Sequence, residues 1–140
     1  MRWKSRAGSE IIEFALVLPL LMILIFGIID FSIELYNKAV ITNASREGAR
    51  AGIVFQSPAR SATELQTDVT TVVNDYCKTY LITFGGPSSP VVDVSVTLDA
   101  DGHQQLTATV RYSYVFSVIP NFIPSITNPT LTATTVMRME

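Results

Sequence analysis

The sequence predicts an α+β chain: one long N-terminal helix that crosses a membrane, a second, shorter helix, and a small antiparallel sheet. Three observations predict it. An apolar run from Ala15 to Ile29 passes without a break into a stretch that holds no proline up to about Val54. A second segment of helical period opens at Ser61. Two β-branched stretches then flank Asp99-Ala100-Asp101-Gly102, as the arms of a hairpin do.

The first element is expected from about Ser9 to Phe55, on the order of 70 Å at 1.5 Å per residue. From Ile11 to Ile29 it is long enough to cross a bilayer core of roughly 30 Å. Arg2, Lys4 and Arg6 precede the span, while Asp30 and Glu34 follow it. That asymmetry predicts a cytoplasmic N-terminus with the bulk of the chain extracytoplasmic. An ordinary secretory signal is not expected, because Asp30-Phe31-Ser32-Ile33-Glu34 offers no small-x-small cleavage site. Pro19 removes one backbone hydrogen bond and should bend the rod. Past the span, Phe31, Leu35, Ala39 and Val40 recur as an apolar stripe. Ala44, Gly48 and Gly52 follow at i, i+4, i+8, and such small residues let another backbone come close. The visitor is the chain's own second helix or sheet, or else a neighbouring subunit.

Gln56-Ser57-Pro58 should end this helix. Ser61-Ala62-Thr63-Glu64 reads as a capping box for the next, with Leu65, Val69, Val72, Val73, Tyr76 and Tyr80 on its apolar face to about Leu81. Gly85 to Pro90 is a loop by composition and lacks the Lys of a phosphate loop. Val91 to Leu98 alternates from Val92, which predicts one buried face, and Gln105 to Phe116 returns as its partner. Pro120, Pro124 and Pro129 mark an irregular connection to a last strand over Thr130–Met137.

With 140 residues there is room for one domain besides the anchor. Ten basic and twelve acidic residues give a net charge of −2. Without Arg2, Lys4 and Arg6 that falls to −5, no electrostatic footprint for nucleic acid. Convergent titratable groups are lacking. His103 stands alone beside a turn, and Asp99 and Asp101 miss the spacing of a calcium loop. Asn43-Ala44-Ser45 fits a glycosylation pattern but falls within the expected helix. Cys77, the single cysteine, excludes an internal disulfide and leaves either a packed thiol or an intermolecular bridge. No enzyme, cofactor or metal is expected.

Gly8, followed after four residues by Glu13-Phe14 and an apolar run, resembles the class III signal of type IV prepilins. Arg46-Glu47-Gly48-Ala49-Arg50-Ala51 resembles the second hallmark of the TadE-like pseudopilins, or minor pilins, of tight-adherence (Tad/Flp, type IVb) pili. The resemblance covers roughly residues 7 to 55. It implies a leader over residues 1–8, a helical core over 9–29 and a pilin-like domain over 30–140. It further implies cutting between Gly8 and Ser9 by a prepilin peptidase, and a subunit that helps assemble a pilus for adhesion and surface colonisation. The partners implied are the major Flp-type pilin, other pseudopilins, the inner-membrane assembly platform and membrane lipid. Glu13 either snorkels to the headgroups or meets a cation, and the new Ser9 amine would supply one. In that role Glu13 and Phe14 would set subunit register. A signal-anchored extracytoplasmic binding module that never polymerises is the competing expectation.

Overall fold

The computed structural model describes residues 6–54, 61–86, 89–116 and 129–139, without the side chains of Arg6 and Ala7. Arg2 and Lys4, the segment Gln56-Ser57-Pro58, Pro87, Pro120 and Pro124 lie outside the described residues. The elements are α1 (Arg6–Ile53), α2 (Ala62–Tyr80), β1 (Val91–Leu98), β2 (Gln104–Ser113) and β3 (Thr130–Arg138). The fold is α+β, as expected from the sequence. It divides into two compact units. One takes α1 up to Ser32; the other begins at Ile33 and holds the rest of α1, α2 and the sheet.

In the first unit α1 runs through Pro19 without ending. Large apolar side chains from Ile11 to Ile29 stand exposed along it. Among the described residues this is the one helix long and apolar enough to cross a membrane, which is compatible with single-pass anchoring. Asp30, at the end of that run, is buried and partnered.

In the second unit the sheet is antiparallel in the order β1-β2-β3. Central β2 buries Leu106, Ala108, Val110 and Tyr112 on one face, joined by Leu131 and Ala133 of β3 and Val92 of β1. Residue pairs Val92↔Val110 and Val110↔Ala133 put these side chains in rows across the strands. The buried face of β1 is shorter than its alternation predicts: Val92 is covered, Val94 partly, and Val96 and Leu98 are exposed. The reason is its edge position, where cover from α2 reaches only the start of the strand. There Gln66 of α2 donates from Nε2 to Val92 O at 2.7 Å and accepts at Oε1 from Val94 N at 2.9 Å. One side-chain amide thus occupies edge groups that would otherwise lack a ladder partner.

The second helix begins as its capping box predicts. Glu64 N–H donates to Ser61 Oγ at 3.3 Å and Ser61 N–H to Glu64 Oε2 at 2.8 Å. Its buried face is Leu65, Val69, Val73 and Cys77. Val72 and Tyr76 are only half-buried, and Tyr80 is exposed against Tyr76, ring centroids 4.6 Å apart. Strict four-residue steps make a narrow face, and a narrow face is what a stripe of small residues can receive. β2 ends at Ser113, short of Phe116, although Tyr114 stays buried and its N–H donates to Pro129 O at 3.0 Å.

The apolar stripe on the outer half of α1 is only partly covered, with Val40 the buried member. Phe31, Leu35 and Ala39 are exposed. The covered residues are Asn37, Val40, Ile41, Ala44, Ser45, Gly48, Ala49 and Gly52. Small size and hydrogen bonding select this face over raw apolarity. A Cβ on Gly48 would lie 2.6 Å from Val73 Cγ2, and one on Gly52 2.6 Å from Leu106 Cδ1 and 3.0 Å from Val69 Cγ2. The visitor to the small-residue stripe is therefore the chain's own α2 and β2. Lys38 Nζ donates to Thr132 O, and Ser45 Oγ lies 2.7 Å from Thr135 Oγ1. Seven residues of helix advance about 10 Å and three of strand about the same, so α1 and β3 run alongside in matched step.

Candidate functional site

Gly8 and Ser9 sit in the opening turns of α1, both exposed. A Cβ on Gly8 would meet nothing within 4 Å. Glycine inside a helix costs about 1 kcal/mol relative to alanine, and here no close approach within the chain requires it. Ser9 Oγ donates to Glu13 Oε1 at 3.2 Å. Residues 9 and 13 share one helix face, so the sequence spacing does bring them together. Within this chain Glu13 is met by a hydroxyl, since the Ser9 nitrogen is still a peptide amide. Phe14 follows, exposed, as does the apolar surface beyond it.

The second group splits by burial. Gly48 and Ala49 are covered, whereas Arg46, Glu47 and Arg50 are exposed. Glu47 and Arg50, three residues apart, could pair across one turn, yet among the described residues the ion pairs are Lys78–Asp75 and Arg111–Asp93. Exposed pairs of that kind contribute little, about 0–1 kcal/mol, so side-chain entropy outweighs the contact. The motif thus combines a packing requirement, met internally, with three charged side chains turned outward.

Two polar side chains of α1, Asn37 and Ser45, are buried within the second unit. Asn37, fully buried, donates from Nδ2 to Ile82 O at 2.8 Å and accepts at Oδ1 from Ile82 N–H at 3.0 Å. It ties the segment after α2 to α1. Ser45, also buried, donates to Thr42 O at 2.8 Å. The available signal was a polar side chain in line with Val40, Ile41 and Ala44 at helical spacing.

Cys77 is fully buried, and desolvation pushes its thiol up to about 11. A protonated, enclosed thiol is a poor partner for an intermolecular bridge. Asp99 accepts at Oδ1 from Asp101 N–H and His103 N–H at 3.0 and 2.8 Å. These turn bonds, that from His103 foremost, hold its carboxyl below the usual range. Among the described residues no group of three or more His, Cys, Asp or Glu could hold a metal.

An exposed apolar helix at the N-terminus and a compact α+β unit on its outer half define the class: a protein compatible with single-pass membrane anchoring. The TadE-like protein family matches the chain over residues 8–50, the segment that holds both groups. Over that segment the chain is similar to TadE-like proteins. No curated protein matches it, and no solved structure does.

Proposed function

We propose that this chain is a minor pilin of a tight-adherence pilus system, inserted with its N-terminus in the cytoplasm and trimmed after Gly8 by a prepilin peptidase. Its role is structural rather than catalytic. The observation that carries this reading is the TadE-like match over residues 8–50, laid on an apolar helix surface that stands exposed among the described residues. Gly8 supports it further: a glycine that the fold does not need suits a position read by a peptidase. After trimming, the Ser9 nitrogen becomes an α-amine one turn from Glu13. In lipid an unpaired carboxylate is costly, so Glu13 pairs with that amine or with a neighbour's, and Phe14 to Ile29 packs against other subunits. The partners are the peptidase, the major Flp-type pilin, further pseudopilins and the inner-membrane platform, in the service of adhesion.

A signal-anchored module that never polymerises keeps one observation in its favour. The Gly48 and Gly52 stripe is filled by the chain's own α2 and β2, so the outer unit needs no neighbour to close its core. N-terminal sequencing of the membrane-extracted protein separates the two readings. Ser9 as first residue is expected; a retained Arg2–Gly8 segment would support the anchor.

A further inference from the structure

The two helices of the second unit turn opposite charges outward. On α1, Tyr36, Ala39, Asn43, Arg46 and Arg50 are exposed. Steps of three and four residues align them on one stripe, opposite the small residues that receive α2. Arg46 and Arg50 stand one turn apart, and among the described residues neither is in an ion pair. Glu47 borders this stripe, and Lys38 is engaged with Thr132 O. Half-buried Glu34 falls in line with Ile41 and Ser45, on the covered side. The exposed stripe of α2 is Glu64, Asp68, Thr71 and Asp75, with Lys78 at its end. Lys78 and Asp75 are 3.7 Å apart with side chains 60% and 69% exposed, a weak contact. Glu64 is committed to its cap. Asp68 interacts within the chain, and its two carboxylate oxygens leave room for a further donor.

Packing inside the unit fixes the height of each stripe. Gly48 lies against Val73 and Val69, Gly52 against Val69 and Leu65, and Asn37 holds Ile82. The two helices therefore run antiparallel. Arg50, midway between Gly48 and Gly52, is level with Asp68. Arg46 is level with the turn from Val73 to Cys77, which holds Asp75. Where Asn37 meets Ile82, Leu35 and Tyr36 are exposed on α1 and Phe84 on the chain after α2. A second copy set beside the first at the same height, with its α1 parallel, thus brings bases level with acids and apolar side chains level with apolar ones. The acids outnumber the base on α2, three to one, and on α1 from Ile33 onward the bases outnumber the acids, three to two. Arginine and tyrosine are also the residues that protein interfaces favour.

We propose that the Arg46–Arg50 stripe of one copy docks on the Asp68–Asp75 stripe of a second copy. The occupant is this same chain, because the match in charge and in height is set by its own packing. The contact is heterologous: each copy keeps one basic and one acidic stripe open, so a row of copies can extend. Only the parallel direction of the two α1 helices rests on the reading of the chain as a membrane-anchored subunit. Exposed ion pairs contribute little one by one, so both arginines are needed and the contact is sensitive to salt.

The test mixes two single variants of the full chain in proteoliposomes, Glu47→Cys and Thr71→Cys, and oxidises them with copper phenanthroline. Both positions sit at the level where Gly48 meets Val69 and Val73, and buried Cys77 stays out of reach. A disulfide-linked dimer is expected in the mixture and not with either variant alone. Its absence from the mixture overturns the contact, and a dimer of one variant alone overturns the heterologous pairing in favour of a two-fold one. Adding Arg46→Glu and Arg50→Glu to the first variant should cut the yield several-fold. Adding Asp68→Lys and Asp75→Lys to the second should then restore it. A yield unchanged by the first reversal, or lost and not restored by the second, counts against the charge match. Salt gives a measurement free of those substitutions: in about 1 M salt, where screening acts within roughly 3 Å, the yield should fall several-fold, and an equal yield counts against the proposal. Ser9 as first residue without any cross-link overturns this contact and leaves the pilin reading; a retained leader with the cross-link does the reverse.

Discussion

Gly48 and Gly8 sit in one helix under opposite constraints. A side chain at Gly48 has to displace Val73 and Val69, whose methyls lie 2.6 and 3.2 Å from a built Cβ. Overpacking of this kind costs about 1–3 kcal/mol, more for a long side chain, and outweighs the roughly 1 kcal/mol by which a helix prefers alanine to glycine. Gly48→Leu should therefore lower the unfolding free energy of the detergent-solubilised protein by at least about 1 kcal/mol, read as a lower denaturation midpoint. Gly8→Ala should leave the midpoint unchanged or slightly raised, yet abolish trimming on a mass spectrum. An unprocessed but stable Gly8→Ala protein is the expected pair of results; normal trimming would remove the argument for peptidase recognition. The spacing of Gly8 and Gly48 was legible in the sequence. Which of them the fold needs was not, because that depends on atoms more than twenty residues away.

At the level of elements, the capping box of α2 was readable from Ser61 and Glu64, since both partners lie within one turn. Its hydrogen bonds, the backbone N–H of Ser61 first, hold the Glu64 carboxyl below its ordinary range. Asp99 is lowered in the same way in the β1–β2 turn. A carboxyl lowered on folding stabilises the fold above its unfolded pKa, and that stabilisation fades as pH falls through the folded value. The midpoint should therefore decline below about pH 4, and the double variant Glu64→Gln, Asp99→Asn should flatten that decline while leaving far-UV circular dichroism near neutrality unchanged. An identical acid slope in the variant would place the sensitivity elsewhere. The apolar stripe Phe31, Leu35, Ala39 and Val40 splits for a related reason, Val40 being buried and the other three exposed. Helical period identifies stripes, and this helix carries two: one packs, and the other faces outward.

For the whole molecule, the first unit carries an acid on an exposed apolar helix and the second closes its own core. A variant that alters only the acid should separate insertion from assembly. Glu13→Ala is expected to insert at least as well as the parent, since a carboxylate at the centre of a span costs roughly 2.5–3.5 kcal/mol and less near its edge. Its recovery in sheared pilus fractions should fall several-fold while its membrane level holds. Equal recovery would remove the register role from Glu13. Composition, hydrophobic period and cap chemistry act over one or two turns, so the sequence by itself determined the long helix, its apolar half, the capped second helix and the hairpin. Only the tertiary structure decided that α2 and β2 take the Gly48–Gly52 stripe, that Gln66 occupies the edge of β1, that Asn37 holds Ile82, and that Cys77 is closed off. Each of those depends on distances between segments far apart in the chain, which local periodicity does not encode.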